Sequence, residues 1–209
     1  MKELGILFGD EWVLAILRGE KTQTRRPITP LPPPWITSFS FSIFTPDGYI
    51  SGRGRHPVDG PAERFWKLRR PVGRRLWVKE AWAPIPDSKP SGYWSDPKWI
   101  DRVAWYRADN DKPIWGGDKW KPSILMPRWA SRIDLKVVSV RAERVQSITH
   151  EDALAEGCSG TEEYASGWDR TYDETGLRWK DNPWVLVIEF KVVSTSRAGY
   201  VNFRSSVLI

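Results

Sequence analysis

The sequence predicts an α+β protein, a small mixed β-barrel or half-barrel flanked by short helices and interrupted by two long loop-rich insertions. Three observations predict it. Runs with the two-residue period of strands, or apolar at nearly every position, recur at "RLWVKEAW", "SRIDLKVVSVRAERV" and "WVLVIEFKVV". Helical spacing is confined to two short stretches, near 10–18 and 147–157. Between these lie segments rich in proline, glycine and tryptophan, which neither continue a helix nor join a sheet interior.

Taken in order, "LGILF" (4–8) is a short apolar strand or entry segment. Asp10 can cap a helix in which Trp12, Val13, Ile16 and Leu17 share a face, and Gly19 ends it. Residues 28–70 read as an insertion, with "DG" at 47–48 offering a hairpin turn. In 75–82, Leu76 and Val78 face one side and Trp77, Lys79 and Ala81 the other. Residues 83–122, with six Pro and five Trp, read as a second insertion. In 131–145, Ile133, Leu135 and Val137 alternate, and Val138 followed by Val140 predicts a phase shift. Thr149 can cap a two-turn helix that Gly157 closes, and the apolar run 184–193 reads as a central strand. The expected organisation is one domain over 1–193, insertions at about 27–71 and 83–130, and a tail from 194 to 209.

The 209 residues carry a net charge of +6, and 14 are tryptophan. Cations meet phosphate and flat rings stack on bases, so this pairing favours a nucleic-acid partner, although tryptophan also fills cores. Cys158 is the only cysteine, which excludes an internal disulfide and leaves too few thiols for a zinc site. His56 and His150 do not stand at ligand spacing, so neither metal nor cofactor is expected. No leader-like apolar run follows Met1, and nowhere do about 18 apolar residues stand together, so a cytoplasmic protein without membrane association is expected. Oligomeric state leaves no mark in the sequence.

Four motifs stand in order: Gly19 followed by Lys21-Thr22-x-Thr24-x-Arg26, "G-x-x-LWV" at 73–78, Thr149-x-x-x-Ala153-x-x-Glu156-Gly157, and "VIEF" at 187–190. Together they resemble the ASCH domain family of the PUA-like superfamily over roughly 4–26, 72–82 and 131–193, and the tryptophan content is similar to larger members found in bacteriophages. The resemblance implies a pseudo-barrel whose cleft holds RNA or a modified nucleobase. Some small bacterial members are amidohydrolases that deacetylate N4-acetylcytidine with a Lys, a Thr and a Glu, which fall here on Lys21, Thr24 and Glu156.

The chemistry of those residue types is consistent with that role. Thr24 can attack or orient a water, Lys21 can act as base if burial lowers its pKa, and Glu156 can move a proton to the leaving amine. If Glu156 instead holds Lys21 charged, Lys21 becomes an oxyanion donor, or the pair is a structural salt bridge. Thr22, Arg25 and Arg26 crowd the same stretch, and the two arginines can fork onto phosphate or onto acids such as Glu20 and Glu80. Trp77, Trp82 and Trp129 can stack on a base or plug the barrel, Glu80 can read a base amino group, and Arg128 and Arg132 flank Trp129. "RFWKLRRPVGRR" (64–75) holds six cations and no acid, so it reads as a phosphate-facing patch or a solvated loop. Two rival readings are a nucleic-acid reader without chemistry and a phage accessory protein whose Trp-rich insertions form a protein interface.

Overall fold

Sequence periodicity carries through to a sheet-rich α+β structure. The computed structural model describes residues 3–41, 48–84, 104–109, 119–173 and 176–195. The strands are β1 (Leu4–Leu7), β2 (Gln23–Pro27), β3 (Ile36–Phe41), β4 (Tyr49–His56), β5 (Gly60–Lys67), β6 (Arg75–Lys79), β7 (Trp82–Pro84), β8 (Ala104–Tyr106), β9 (Ile133–Arg144) and β10 (Trp184–Thr195). The helices are α1 (Asp10–Leu17), α2 (His150–Ala155) and α3 (Thr161–Tyr172). Five strands hydrogen-bond in the order β1-β6-β9-β10-β2, three in the order β3-β4-β5, and β7 pairs with β8. β1 runs parallel to β6, whereas β2 runs antiparallel to β10, so the larger sheet is mixed. No described helix is long and apolar enough to cross a membrane.

The chain packs as two compact units. The first holds the described parts of 18–75 and 136–191, and the second those of 3–17, 76–135 and 192–195.

In the second unit, α1 buries Val13, Ala15 and Ile16, and its acidic first turn, Asp10 and Glu11, suits the positive end of the helix dipole. β6 buries Leu76 and Val78 while Trp77 and Lys79 stay half-exposed, the alternation its sequence requires. Each such aliphatic chain removed from water contributes about 1.5–3 kcal/mol. Trp82, Ala104, Tyr106, Met126 and Ala130 form a small core beside Trp77.

In the first unit, the insertion after Pro27 is more ordered than its composition predicts, because β3, β4 and β5 form an antiparallel meander. Ile36, Ile50 and Trp66 are buried, and Trp66 donates from Nε1 to the Pro30 carbonyl at 2.8 Å. Glycine is required at position 54, where a Cβ would stand 1.7 Å from the Trp35 carbonyl oxygen. Three glycines and scattered charges hide the strand pattern of β4 and β5 from a reading of polarity alone. α3 also escapes that reading: its composition is polar, and only Tyr164 and Trp168, one turn apart, are buried. Along β9, Ile133 and Leu135 of the second unit and Val137 of the first are buried and Val140 is the next, so the expected phase shift is present. Most of the Trp-rich segment 83–122, together with Asp47 of the expected turn and 196–209 of the tail, lies outside the described residues.

Candidate functional site

The turn after α1 brings its cations to the end of α2. Gly19 takes φ +79°, and the chain then enters β2, where Thr24 opposes Ile188 and Arg25 opposes Val187 on β10. Thr22 is tied on both sides, its N–H donating to the Ala155 carbonyl and its own carbonyl accepting from Phe190 N–H, each at 2.8 Å. α2 starts as its sequence predicts: Thr149 Oγ1 accepts from Asp152 N–H at 3.1 Å, and Gly157 at φ +85° ends the turn. Its C-cap is Glu156.

Two distant pieces of chain therefore meet. Lys21 Nζ donates to Glu156 Oε2 and to the Glu156 carbonyl, both at 2.6 Å. Both residues are buried, at 4% and 3% exposure. Arg25 takes the other carboxylate oxygen, Nη1 to Glu156 Oε1 at 3.2 Å, and also donates from Nη2 to Glu143 at 2.6 Å and Asp152 at 2.7 Å. Gln23 Nε2 reaches Asp152 Oδ1 at 3.0 Å, and Arg141 joins Asp152, Glu143 and Glu189. The Arg25 guanidinium lies 5.8 Å from the centroid of the Tyr164 ring.

Arg25 thus pairs with Glu143, Asp152 and Glu156 rather than with Glu20 or Glu80. Glu20 pairs with Arg18, and Glu80 with Arg132. Glu143, Asp152, Arg141 and Gln23 were not singled out from the sequence. The available signals were the two-residue spacing of Arg141 and Glu143 on a strand and the four-residue spacing of Asp152 and Glu156 on a helix.

Burial pushes the Lys21 ammonium below the ordinary lysine range, and the opposing pull of Glu156 does not restore it. Arg25 goes the other way. Burial disfavours its charge, but Glu156 and Glu143 outweigh that and raise its pKa. Asp152 is likewise held low, because hydrogen bonds from Gln23 and the charge of Arg25 overcome its desolvation.

Against this pair lies an open pocket of about 650 Å³, lined by Gly19, Glu20, Thr22, Leu154, Cys158 and Ser159 among others. Lys21 and Glu156 are not lining residues, whereas their chain neighbours on both sides are. Cys158 is buried, lines the pocket, and lies within electrostatic reach of Lys21. Thr24 is buried within β2, a strand absent from the elements read off the sequence. Gln23 and Arg25 both reach α2, so strand alternation starts Thr24 and Arg26 toward the other face.

The remaining candidates belong to the second unit. Arg132 clasps Glu80 through Nε to Oε1 at 2.9 Å and Nη2 to Oε2 at 2.8 Å, takes Asp109 as well, and stacks 4.1 Å from the Tyr106 centroid. Glu80 is fully buried, and burial raises its pKa even against Arg132. Trp82 fills the small core and Trp129, 46% exposed, meets it edge-on at 5.6 Å. Arg128 pairs with Glu3 and Asp134, and Lys79 and Arg128 lie over Trp77 at 5.3 and 5.9 Å. In the structure these side chains make a buried ion pair and a tryptophan-lined core.

The chain matches no protein-family model and no curated protein. Among solved structures it is similar to an Enterococcus faecalis protein of the family DUF984, at 10% identity and TM-score 0.45, covering 94% of this chain and 84% of that one. It is also similar to an ASCH domain from Lactobacillus crispatus, at 16% identity and TM-score 0.41, covering 92% and 80%. Scores this low assign the chain neither a family nor a function.

Proposed function

We propose that this chain is an ASCH-type protein that binds nucleic acid and takes a nucleobase, modified or not, in the open pocket beside α2. The observation that carries the reading is the buried Lys21–Glu156 pair, 2.6 Å apart, set against a pocket whose walls are the neighbours of both residues. Glu20 and Glu151 on that wall accept hydrogen bonds from exocyclic amino groups and repel phosphate, which suits a base. The excess of +6 suits the polymer backbone. The four sequence motifs fall, in order, on the turn after α1 and into β2, on the approach to and body of β6, on α2 with its cap, and within β10. Binding of a labelled oligoribonucleotide across a salt series tests the reading. Affinity that falls as salt rises is expected, and no binding to any oligonucleotide contradicts it.

A second reading adds chemistry at the same place. The lowered proton affinity of Lys21 favours it, since burial moves the group toward the neutral amine, the form that can act as a base. In hydrolysis of an N4-acylated cytidine, Lys21 takes a proton from water, the water oxygen adds to the acyl carbon, and the C–N bond breaks. Glu156 relays the proton to the leaving amine, giving acetate and cytidine. Chromatography of N4-acetylcytidine incubated with the protein should show cytidine, and Lys21→Ala should abolish it. No turnover, or turnover indifferent to that change, leaves binding alone.

A further inference from the structure

The meander of β3, β4 and β5 has two unlike faces. Residues paired directly across antiparallel strands share a face, so Ile50 and Trp66 fall on one, where Phe39 meets Trp66 at 5.3 Å and the core forms. The other face carries Tyr49 opposite Lys67, Ser51 opposite Phe65, and Arg53 opposite Glu63.

This second face joins rings to positive charge. Phe65 is 61% exposed, and its cross-strand neighbour is small: the Ser51 hydroxyl shares a hydrogen bond with that of Ser40 at 2.9 Å. The Lys67 ammonium lies 5.9 Å from the centroid of the Tyr49 ring. Glu63 accepts from Arg53 Nε at 2.8 Å, so its charge is already balanced. Arg55, the next residue of β4 on this face, and Lys67 are both exposed and leave the face positive.

Spacing and charge together select the partner. Tyr49 and Phe65 are diagonal neighbours on adjacent strands, about 7 Å apart. That is roughly twice the 3.4 Å step of bases along one strand of a duplex. Successive bases can lie on the two rings only when the strand is extended and unstacked. Lysine and serine are depleted from protein interface cores, whereas cations beside flat rings match phosphates beside bases.

We infer that this face of β3, β4 and β5 is a stacking platform for single-stranded nucleic acid, with Phe65 and Tyr49 receiving bases and Lys67 and Arg55 meeting phosphates. The inference rests on the nucleic-acid part of the function proposed above and is independent of the pocket beside α2.

Fluorescence anisotropy with a dye-labelled single-stranded oligoribonucleotide, its duplex as a second probe, tests it. Phe65→Ala should weaken single-strand binding roughly tenfold or more and leave the slope of log affinity against log salt unchanged, because stacking releases no counterions. Lys67→Gln should instead lower that slope by about 0.7. Phe65→Trp should bind at least as tightly as wild type, and the duplex should bind more weakly than the single strand. Single-strand affinity that is equal in wild type, Phe65→Ala and Lys67→Gln overturns the platform and leaves the nucleic-acid reading intact, whereas no oligonucleotide bound by wild type removes both. A duplex bound as tightly as the single strand also overturns stacking. So does a wild-type dimer in sedimentation that Phe65→Ala dissociates without change in oligonucleotide affinity, which makes the face an interface between copies. Should Phe65→Ala fail to fold, Phe65→Leu keeps the apolar bulk and removes the π-face, and the same outcomes decide.

Discussion

Each unit buries an arginine among carboxylates, and the two clusters differ in what surrounds that shared pairing. In the second unit Arg132 holds Glu80 and Asp109 and stacks on Tyr106. In the first unit Arg25 holds Glu143, Asp152 and Glu156, and Lys21 competes for the last of these from beside an open pocket. An arginine keeps its proton at any physiological pH, so the second cluster is a fixed tie between the residue after β6, Glu80, and the one before β9, Arg132. Lysine can lose its proton when desolvated, so the first cluster contains a group able to titrate. That difference directs attention to the first cluster for ligand recognition and chemistry, and to the second for stability.

The largest expected effect comes from cutting the first cluster at its centre. Arg25→Ala removes the cation shared by Glu143, Asp152 and Glu156 and leaves only Arg141 and Lys21 to hold them, and urea unfolding should show a loss of about 3–5 kcal/mol. Arg132→Ala strands Glu80 in the same way but leaves fewer like charges together, so a loss nearer 3 kcal/mol is expected. Equal losses would mean that the number of stranded carboxylates matters less than burial.

Acid–base behaviour should separate the clusters more sharply. Lys21 is held below the 10.5 of an exposed lysine, so between its folded value and 10.5 the unfolded chain binds the extra proton. Stability contributed by this position therefore rises with pH across that window, and the difference between wild type and Lys21→Met, measured by thermal melts, should follow it. Glu80 has the opposite sign. Burial raises it above 4.5, so its contribution is greatest at low pH and falls as pH rises through the folded value, a trend that Glu80→Gln should remove.

The smallest effect concerns the helix that delivers Asp152 and Glu156. Thr149→Ala removes the cap bond to Asp152 N–H and should cost about 1 kcal/mol. It should also loosen the Lys21–Glu156 pair, visible as faster amide exchange at Glu156 and Gly157.

The sequence revealed features that depend on local periodicity and turn chemistry. β6, β9, β10 and the Thr149 cap follow from alternation and from one hydroxyl three residues before an N–H. The meeting of Lys21 with Glu156 followed from resemblance, and no local rule would have placed residues 135 positions apart in contact. The partners of Arg25 were hidden for the same reason: Glu143 and Asp152 are 118 and 127 positions away, and many acids in the chain could have served. β2 was hidden because charged and hydroxyl side chains mask the strand that pairing with β10 imposes on Thr24.

The account stands on the pocket beside the Lys21–Glu156 pair being the place where a base is received. Titration of ¹⁵N-labelled protein with N4-acetylcytidine, followed by NMR, tests this most directly. The expected result is saturable shifts concentrated at the amides of Gly19, Glu20, Thr22, Leu154, Cys158 and Ser159, with the second unit unmoved. Shifts centred on Trp82, Trp129 and Arg132 instead, or no saturable shift at all, would contradict it.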